Sequence, residues 1–312
     1  MENILSCIEV FLSDGLMYAI LALGFYISYS ILDFPDLSVE GTVLLGAVSY
    51  ALLLRAGVNP WLALILAFIL GCAAGSVTGI LHVKLHIRPL LCGILMSTAL
   101  ISINLVLSVW GMGGNLMGED ALSTIPLGRN INTIMRSFPA NLIPNNVNGF
   151  DLRSLVVFFV IAVVFKLALD YFLKTKSGLL LRATGTNQQF VSTLAKDPGK
   201  SKILGLSLSN GFAAVAGALI ATSRGNANQG MGIGMVVIGL ASVIIGLSVF
   251  RSVRFLKPTT MVILGSIIYQ ACLSIATFLG VPSAYNKLLM AVLFTIALVC
   301  SRAIKKGGAV ND

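Results

Sequence analysis

The chain has 312 residues, 57% of them hydrophobic and 11% charged, with a formal net charge of +9 and a mean hydropathy of +0.94. A soluble domain carries about 25% charged residues, so this composition excludes an ordinary water-soluble fold and makes lipid the solvent. The positive balance reads as a topology signal, since a nucleic-acid surface needs a folded basic domain and no segment supplies one.

Backbone polar groups cannot stay unpaired in hydrocarbon, so spans are helices or closed barrels, and long apolar runs without alternation exclude the barrel. The expected fold is all-α, a polytopic integral membrane protein of about nine transmembrane helices at 11–31, 38–54, 61–81, 90–110, 152–172, 203–223, 235–250, 259–279 and 288–301. They form one integral domain over 1–312. Residues 1–13 lack the basic stretch and small-residue cleavage site of a signal peptide, so the first span is expected to remain in the mature chain.

Asp33, Asp36 and Glu40 cluster at the junction of the first two spans. Two roles are open to Asp36 and Glu40: stabilising the start of the second span through the helix dipole, or meeting basic groups of a partner or of the chain's own basic loops. In the third span, Gly71, Gly75 and Gly79 repeat every four residues and share one face, where a neighbouring backbone can approach closely. His82 and His86 follow at i,i+4 spacing, but Val83 stands where a zinc-protease motif has glutamate, so a basic interfacial cap is expected and no metal.

The longest polar interruption, 111–151, is rich in asparagine, glycine and proline. Its length exceeds ordinary connections and predicts a cover over one mouth of the bundle or a surface for a partner. The second polar island, 174–202, is basic and turn-rich. Gly225, Gly230, Gly232 and Gly234 disfavour continuous helix, so the chain is expected to break between the sixth and seventh spans, either as part of a translocation path or as a plain turn.

Lys84, Arg88, the basic residues of 174–202, those of 251–257 and those of 302–306 fall on one side; Arg55, Arg129, Arg136, Arg153, Arg224 and Lys287 fall on the other. The richer side is expected to be cytoplasmic, which places the N-terminus outside and the C-terminus in the cytoplasm. Cys7, Cys72, Cys92, Cys272 and Cys300 are scattered with no CxxC pair and read as packing residues. No phosphate-binding GxxxxGK[ST] loop occurs, and no nucleophile–base constellation points to an enzyme.

The run Asp36-Leu-Ser-Val39, the glycine-spaced third span, Gly185-Thr-Asn187 and the stretch 233–246, taken in order over about 16–302, together resemble the permease subunits of bacterial ABC importers. The family is that of the branched-chain amino acid and ribose permeases, with similarity to a subgroup associated with tryptophan or tyrosine uptake. The resemblance implies a type II importer permease fold over the single domain 1–312, in the bacterial cell membrane. It also implies two permease copies, two cytoplasmic ATPase subunits that bind ATP and Mg, and an external solute-binding lipoprotein, with no cofactor in this chain and no nucleic-acid partner.

In such permeases a short helix of the cytoplasmic island (here 174–202) docks on the ATPase. It maps to Asn187, Gln188, Gln189, Phe190, Val191, Ser192, Thr193 and Leu194, where Phe190, Val191 and Leu194 make an apolar stripe that Asp197-Pro198-Gly199 ends. The chain departs from many relatives in having Gln188 where they have an acid and Ala195-Lys196-Asp197 where they have a Gly-hydrophobic-Asn run. It also lacks the extra N-terminal span of ribose-type relatives. Candidate path-lining groups are Asn104, Ser207, Asn210 and Gln270. Arg129, Arg136, Arg153 and Arg224 are candidates for docking the binding protein. The reading is an importer permease for an amino acid, aromatic by subgroup resemblance, with ribose, nucleoside or peptide as alternatives. An ATP-independent secondary transporter would need coupling-ion sites and inverted repeats, which the sequence does not display.

Overall fold

The computed structural model describes residues 2–113, 124–128, 131, 133–137, 139–140, 152–193, 197–251, 253, 255–282 and 285–308; the side chains of 2–6, 190, 286 and 300–308 are outside that description. In chain order the helices are α1 (Glu2–Phe25), α2 (Val39–Arg55), α3 (Pro60–Leu85), α4 (Pro89–Gly111), α5 (Leu152–Phe172), α6 (Lys176–Thr186), α7 (Gln188–Thr193), α8 (Pro198–Arg224), α9 (Met235–Val249), α10 (Pro258–Phe278) and α11 (Asn286–Gly308). A π-helical turn, Tyr26–Ile31, extends α1. Two short strands, β1 (Ile125–Pro126) and β2 (Asn226–Ala227), pair antiparallel, and a 3-10 turn covers Gln229–Gly232.

Among the described residues, seven stretches are long and apolar enough to cross a membrane, and Lys287–Val299 is a shorter apolar helix. The chain is therefore a multi-pass helical membrane protein, as composition predicted. The 38–54 segment differs from the full crossing expected for it: α2 has 17 residues and starts inside the helical bundle. Leu37 packs on Gly93 near the Pro89 end of α4, Gly41 packs on Leu100 at the centre of α4, and Leu52 reaches Gly111 at its far end. Hydropathy counts apolar residues and does not sense depth, so a helix that begins inside the bundle looks like one that crosses it.

The chain forms two compact units. The first holds 1–26, 144–169 and 236–312. There α10 packs along α1, with Ser266 Oγ donating to the Gly15 carbonyl at 2.6 Å, while Gly246 and Gly265 let α9 and α10 approach backbone to backbone.

The second unit holds 27–143 and 170–235, with α8 at its centre. A Cβ on Gly71 would lie 2.6 Å from the Asn210 carbonyl, one on Gly75 would strike the Leu206 carbonyl, and one on Gly79 would lie 2.8 Å from the Ile203 Cα. The glycine stripe of the third span thus makes the close helix contact its spacing predicted. On the opposite flank Gly46 of α2 meets the Ala214 backbone, and Gly217 of α8 meets the Val43 carbonyl. Parts of the long 111–151 segment fold onto this unit: β1 pairs with β2, Leu127 N–H donates to the Gly225 carbonyl at 2.8 Å, and Ile125 and Ile134 are fully buried.

Candidate functional site

The site is built where the chain refuses to stay helical. Past Ile31, Asp33 takes a left-handed φ of 52°, and Pro35 lacks the N–H a helix needs and pushes Phe34 toward extended backbone. The freed amides are satisfied backwards: Leu32 N–H reaches the Ile27 carbonyl at 3.0 Å and Phe34 N–H the Ser28 carbonyl at 2.8 Å. Asp36 then opens α2. Its Oδ1 accepts from Ser38 N–H at 2.9 Å and from Ser38 Oγ at 2.6 Å, the local bonding that makes aspartate a helix-start residue.

The other carboxylate oxygen is held from across the unit. Asn210 Nδ2 donates to Asp36 Oδ2 at 2.7 Å and to its own-helix Leu206 carbonyl at 3.0 Å, while Asn210 Oδ1 accepts from Thr42 Oγ1 at 2.7 Å. Both amide protons and the carbonyl are thereby used, which fixes the orientation of the amide, since a flip would set oxygen against oxygen twice. Ser38 Oγ has one proton and sits nearer Asp36 than Asn210 Oδ1, so it donates to the carboxylate; Thr78 Oγ1 lies 3.3 Å from it and shares its own proton between Ser38 Oγ and the Ala74 carbonyl at 3.2 Å. Asp36, Ser38, Thr42, Thr78 and Asn210 are all buried, none more than 1% exposed. Three donors thus hold a carboxylate inside apolar surroundings, as burial of a polar network demands.

One turn further on, Glu40 is half-buried beside the centre of α4. Its Oε1 accepts from Gly234 N–H at 3.0 Å, and a Cβ on Gly232 would strike its main-chain carbonyl. The expected break after α8 is therefore real. Gly225 ends the helix at φ 67° and Gly234 turns the chain at φ 90°. Between them the 3-10 turn packs on α2 and α4, so the break is no plain surface turn.

Of the candidate path residues, Asn104 and Asn210 are buried here, and Ser207 Oγ is spent on the Cys72 carbonyl at 2.9 Å. Gln270 is buried on α10 of the first unit. An apolar crevice of about 620 Å³ between α2, α3 and α4 offers only Ser49 as a polar group, and that hydroxyl bonds the Leu45 carbonyl at 2.6 Å; it suits no polar solute. Sequence reasoning placed Asp36 and Glu40 at the junction but did not pair Asp36 with Asn210.

Of the expected docking segment 187–194, Asn187 caps α6 and 188–193 form α7. Gly185 is pressed against the Ile31 carbonyl, and Asn187 closes α6 by donating to the Ala183 carbonyl at 2.9 Å. On α7, Gln188, Gln189, Ser192 and Thr193 are exposed, but Val191 is fully buried in its own chain. The stripe expected to face a partner is therefore split: Val191 anchors the helix inward, and Leu194 and the Phe190 side chain lie outside the described residues. Lys202 Nζ donates to Gln188 Oε1 at 3.1 Å and lies 3.5 Å from His82 Nε2, while His82 Nδ1 lies 2.8 Å from the Ile87 carbonyl. A carbonyl only accepts, so Nδ1 carries the ring proton and Nε2 receives the lysine; both nitrogens of His82 are engaged. Arg136 and Arg224 are exposed, Arg153 is half-buried, and Arg129 lies outside the described residues.

Residues 7–298 match the family described as the branched-chain amino acid transport system permease component. The chain belongs to that family. It is 40% identical over 281 residues to a tyrosine transport system permease protein of Clostridioides difficile, covering 90% of this chain and 86% of the relative. It is 32% identical over 297 residues to an uncharacterised protein of Rickettsia prowazekii (92% and 95%), and 23% identical over 279 residues to a fructose import permease protein of Bifidobacterium longum (88% and 76%). No solved structure matches the chain. The chain is thus a membrane permease of a transport system, and the buried break around Asp36 and Glu40 is a feature of its membrane-spanning part.

Proposed function

We propose that this permease forms the translocation path of an ATP-driven importer for an amino acid, aromatic amino acids foremost. The observation that carries the reading is the 40% identity to the tyrosine transport permease over nine-tenths of the chain. Chemistry supports the solute class: intramembrane ionisable groups mark solute pathways, and Glu40 beside a broken, glycine-rich segment is such a group.

Two copies of the chain enclose the path, two ATPase subunits bind ATP and Mg on the cytoplasmic side, and a solute-binding protein delivers from outside. The permease itself breaks no bonds. Asn187 to Leu194 form the contact with the ATPase. Within that contact the exposed face of Gln188, Gln189, Ser192 and Thr193 is available, and the tie from Gln188 to Lys202 carries movement of α7 into α8. Asn104, Ser207, Asn210 and Gln270 remain the candidate path groups, and Arg129, Arg136, Arg153 and Arg224 the candidate docking groups for the binding protein. The N-terminus lies outside and the C-terminus in the cytoplasm of a bacterial cell.

The test is reconstitution. The permease is purified from its native membrane with whatever ATPase accompanies it, placed in vesicles with the solute-binding protein, and assayed for ATP-dependent uptake of L-tyrosine, L-tryptophan, L-leucine and D-fructose. Uptake of an amino acid supports the reading. Uptake of fructose alone transfers the chain to the sugar branch that its relative in Bifidobacterium longum represents. Accumulation without an ATPase, driven by an ion gradient, removes it from this class of importer.

A further inference from the structure

Buried polar atoms in native proteins are nearly always paired, and each exception asks for an explanation. Three such exceptions gather on the elements around Glu40. Asn104 is fully buried on α4, and its Nδ2 donates to the carbonyl of Gly41, the residue next to Glu40, at 3.0 Å. That bond fixes the amide, because a flip would turn oxygen toward oxygen, and it leaves Oδ1 buried with no donor among the described residues. Gln229 opens the 3-10 turn that packs on both α2 and α4, and its Oε1 and Nε2 are buried without partners among the described residues. Among the described residues, Glu40 itself spends Oε1 alone, on Gly234 N–H.

Among the described residues, the segments seen to pack on Glu40 supply no opposite charge. The segments packed about it, 37–44 of α2, 97–104 of α4 and 229–235, contain no lysine, arginine or histidine and no second acid. Glu40 stands in the first turn of α2, level with the middle of α4, and a charge at membrane depth is expensive and is retained where it meets an opposite charge or a water-filled cavity. The unmet demand has a definite chemistry. A negative oxygen and a neutral acceptor call for a group with positive charge and several N–H donors, and the nearby Gln229 amide offers a donor to an anionic or hydroxyl oxygen.

We propose that Glu40, together with Asn104 on the α4 turn that faces Gly41, is the point in the membrane interior that receives the ammonium group of the transported solute, with Gln229 taking an oxygen of the same molecule. This rests on the reading of the chain as an amino-acid importer and names the residue that makes it selective for amines. The bond from Gly234 N–H holds the carboxylate at the break between α8 and α9, so the acid is positioned by backbone and its second oxygen is left for the solute.

The experiment uses the assembled importer in vesicles with L-tyrosine, L-tryptophan and L-leucine as radiolabelled probes. Glu40→Gln keeps an acceptor for Gly234 N–H and removes the charge. Expected is uptake lowered at least tenfold at saturating binding protein, with subunit assembly and melting temperature as in wild type, while Glu40→Asp keeps a measurable fraction. Wild-type uptake by a folded Glu40→Gln importer overturns the proposal and leaves the importer reading intact. A wild-type importer that takes up none of the three amino acids overturns both.

A second arm needs no variant. The melting temperature of the wild-type complex is measured with tyramine, which has the amine and no carboxylate, and with 3-(4-hydroxyphenyl)propionate, which has the carboxylate and no amine. A rise with tyramine and none with the acid supports the ammonium site; equal effects, or a rise with the acid alone, overturn it.

Discussion

Asn210 donates to Asp36 Oδ2 at 2.7 Å across 174 residues of chain. That bond joins the central helix of the second unit to the turn that starts α2, so the place where α2 begins is set by one amide on another helix. Replacing Asn210 by leucine strips a buried carboxylate of its long-range donor and leaves the Thr42 hydroxyl with the Ser38 carbonyl, 3.1 Å away, in place of its shorter bond. Each unsatisfied buried group costs about 1–3 kcal/mol, more when charged. The expected outcome is a lower melting temperature and poor folded yield. Asn210→Asp, which sets a second carboxylate against Asp36, is expected to do worse. Ser207→Ala, losing one interhelical bond, should cost about 1 kcal/mol. Equal melting of all four proteins in nanodiscs would remove the network from the account of the fold.

The glycine contacts around α8 lead to a sharper expectation than spacing alone. A methyl group on Gly75 would press on the Leu206 carbonyl and lie 2.8 Å from the Asn210 Cβ, so even Gly75→Ala overpacks and should destabilise by about 1–3 kcal/mol. Gly75→Leu should abolish folded protein. Gly128→Ala is the control: among the described residues, no atom beyond its chain neighbours lies within 4 Å of its Cβ position, and its melting temperature should match wild type. Full stability of Gly75→Leu would mean that this face of α3 does not meet α8.

Much of this architecture was legible because periodicity and composition report local structure. Gly71, Gly75 and Gly79 share a helix face whatever lies opposite, and the glycines from Gly225 to Gly234 break a helix in any fold. The Asp36–Asn210 pair was not legible, since nothing in the residues near Asp36 names a partner on α8. The interior start of α2 was hidden for a related reason, because depth depends on which helices stand beside it. Val191 was misread as facing a partner because a stripe of apolar residues on a short helix looks the same from either side. Neither role open to Glu40 in the sequence, dipole stabilisation or contact with basic groups, names Gly234, whose N–H holds one of its oxygens.

The arginines proposed for the binding-protein surface should act together. Arg136 and Arg224 are exposed and Arg153 half-buried, and exposed ion pairs contribute no more than about 1 kcal/mol each. Single alanine substitutions should therefore change little. The combined Arg129→Ala, Arg136→Ala, Arg153→Ala and Arg224→Ala protein should associate with the binding protein more slowly, with a flatter dependence on salt, because rim charges govern on-rates. A rate and salt dependence identical to wild type in stopped-flow association would take these residues out of the docking surface.

The two faces of α7 give the most discriminating pair of variants. Val191 is fully buried, so Val191→Asp puts an unpaired charge into the chain's own interior and should reduce folded permease before any partner binds. Phe190→Asp with Leu194→Asp, at the positions proposed to enter the ATPase groove, should leave the permease inserted and monodisperse while ATPase copurification and solute-stimulated hydrolysis fall. Truncating that contact removes about 1.5–3 kcal/mol per buried large side chain. Lys202→Ala tests the link onward, because it releases Gln188 from α8 without touching the partner-facing residues: ATPase binding should persist while hydrolysis becomes less responsive to solute. If the Phe190/Leu194 protein hydrolyses ATP with normal solute stimulation, α7 is not the coupling element. If Val191→Asp is as stable as wild type and loses only the ATPase, the buried and partner-facing sides of this helix have been assigned the wrong way round.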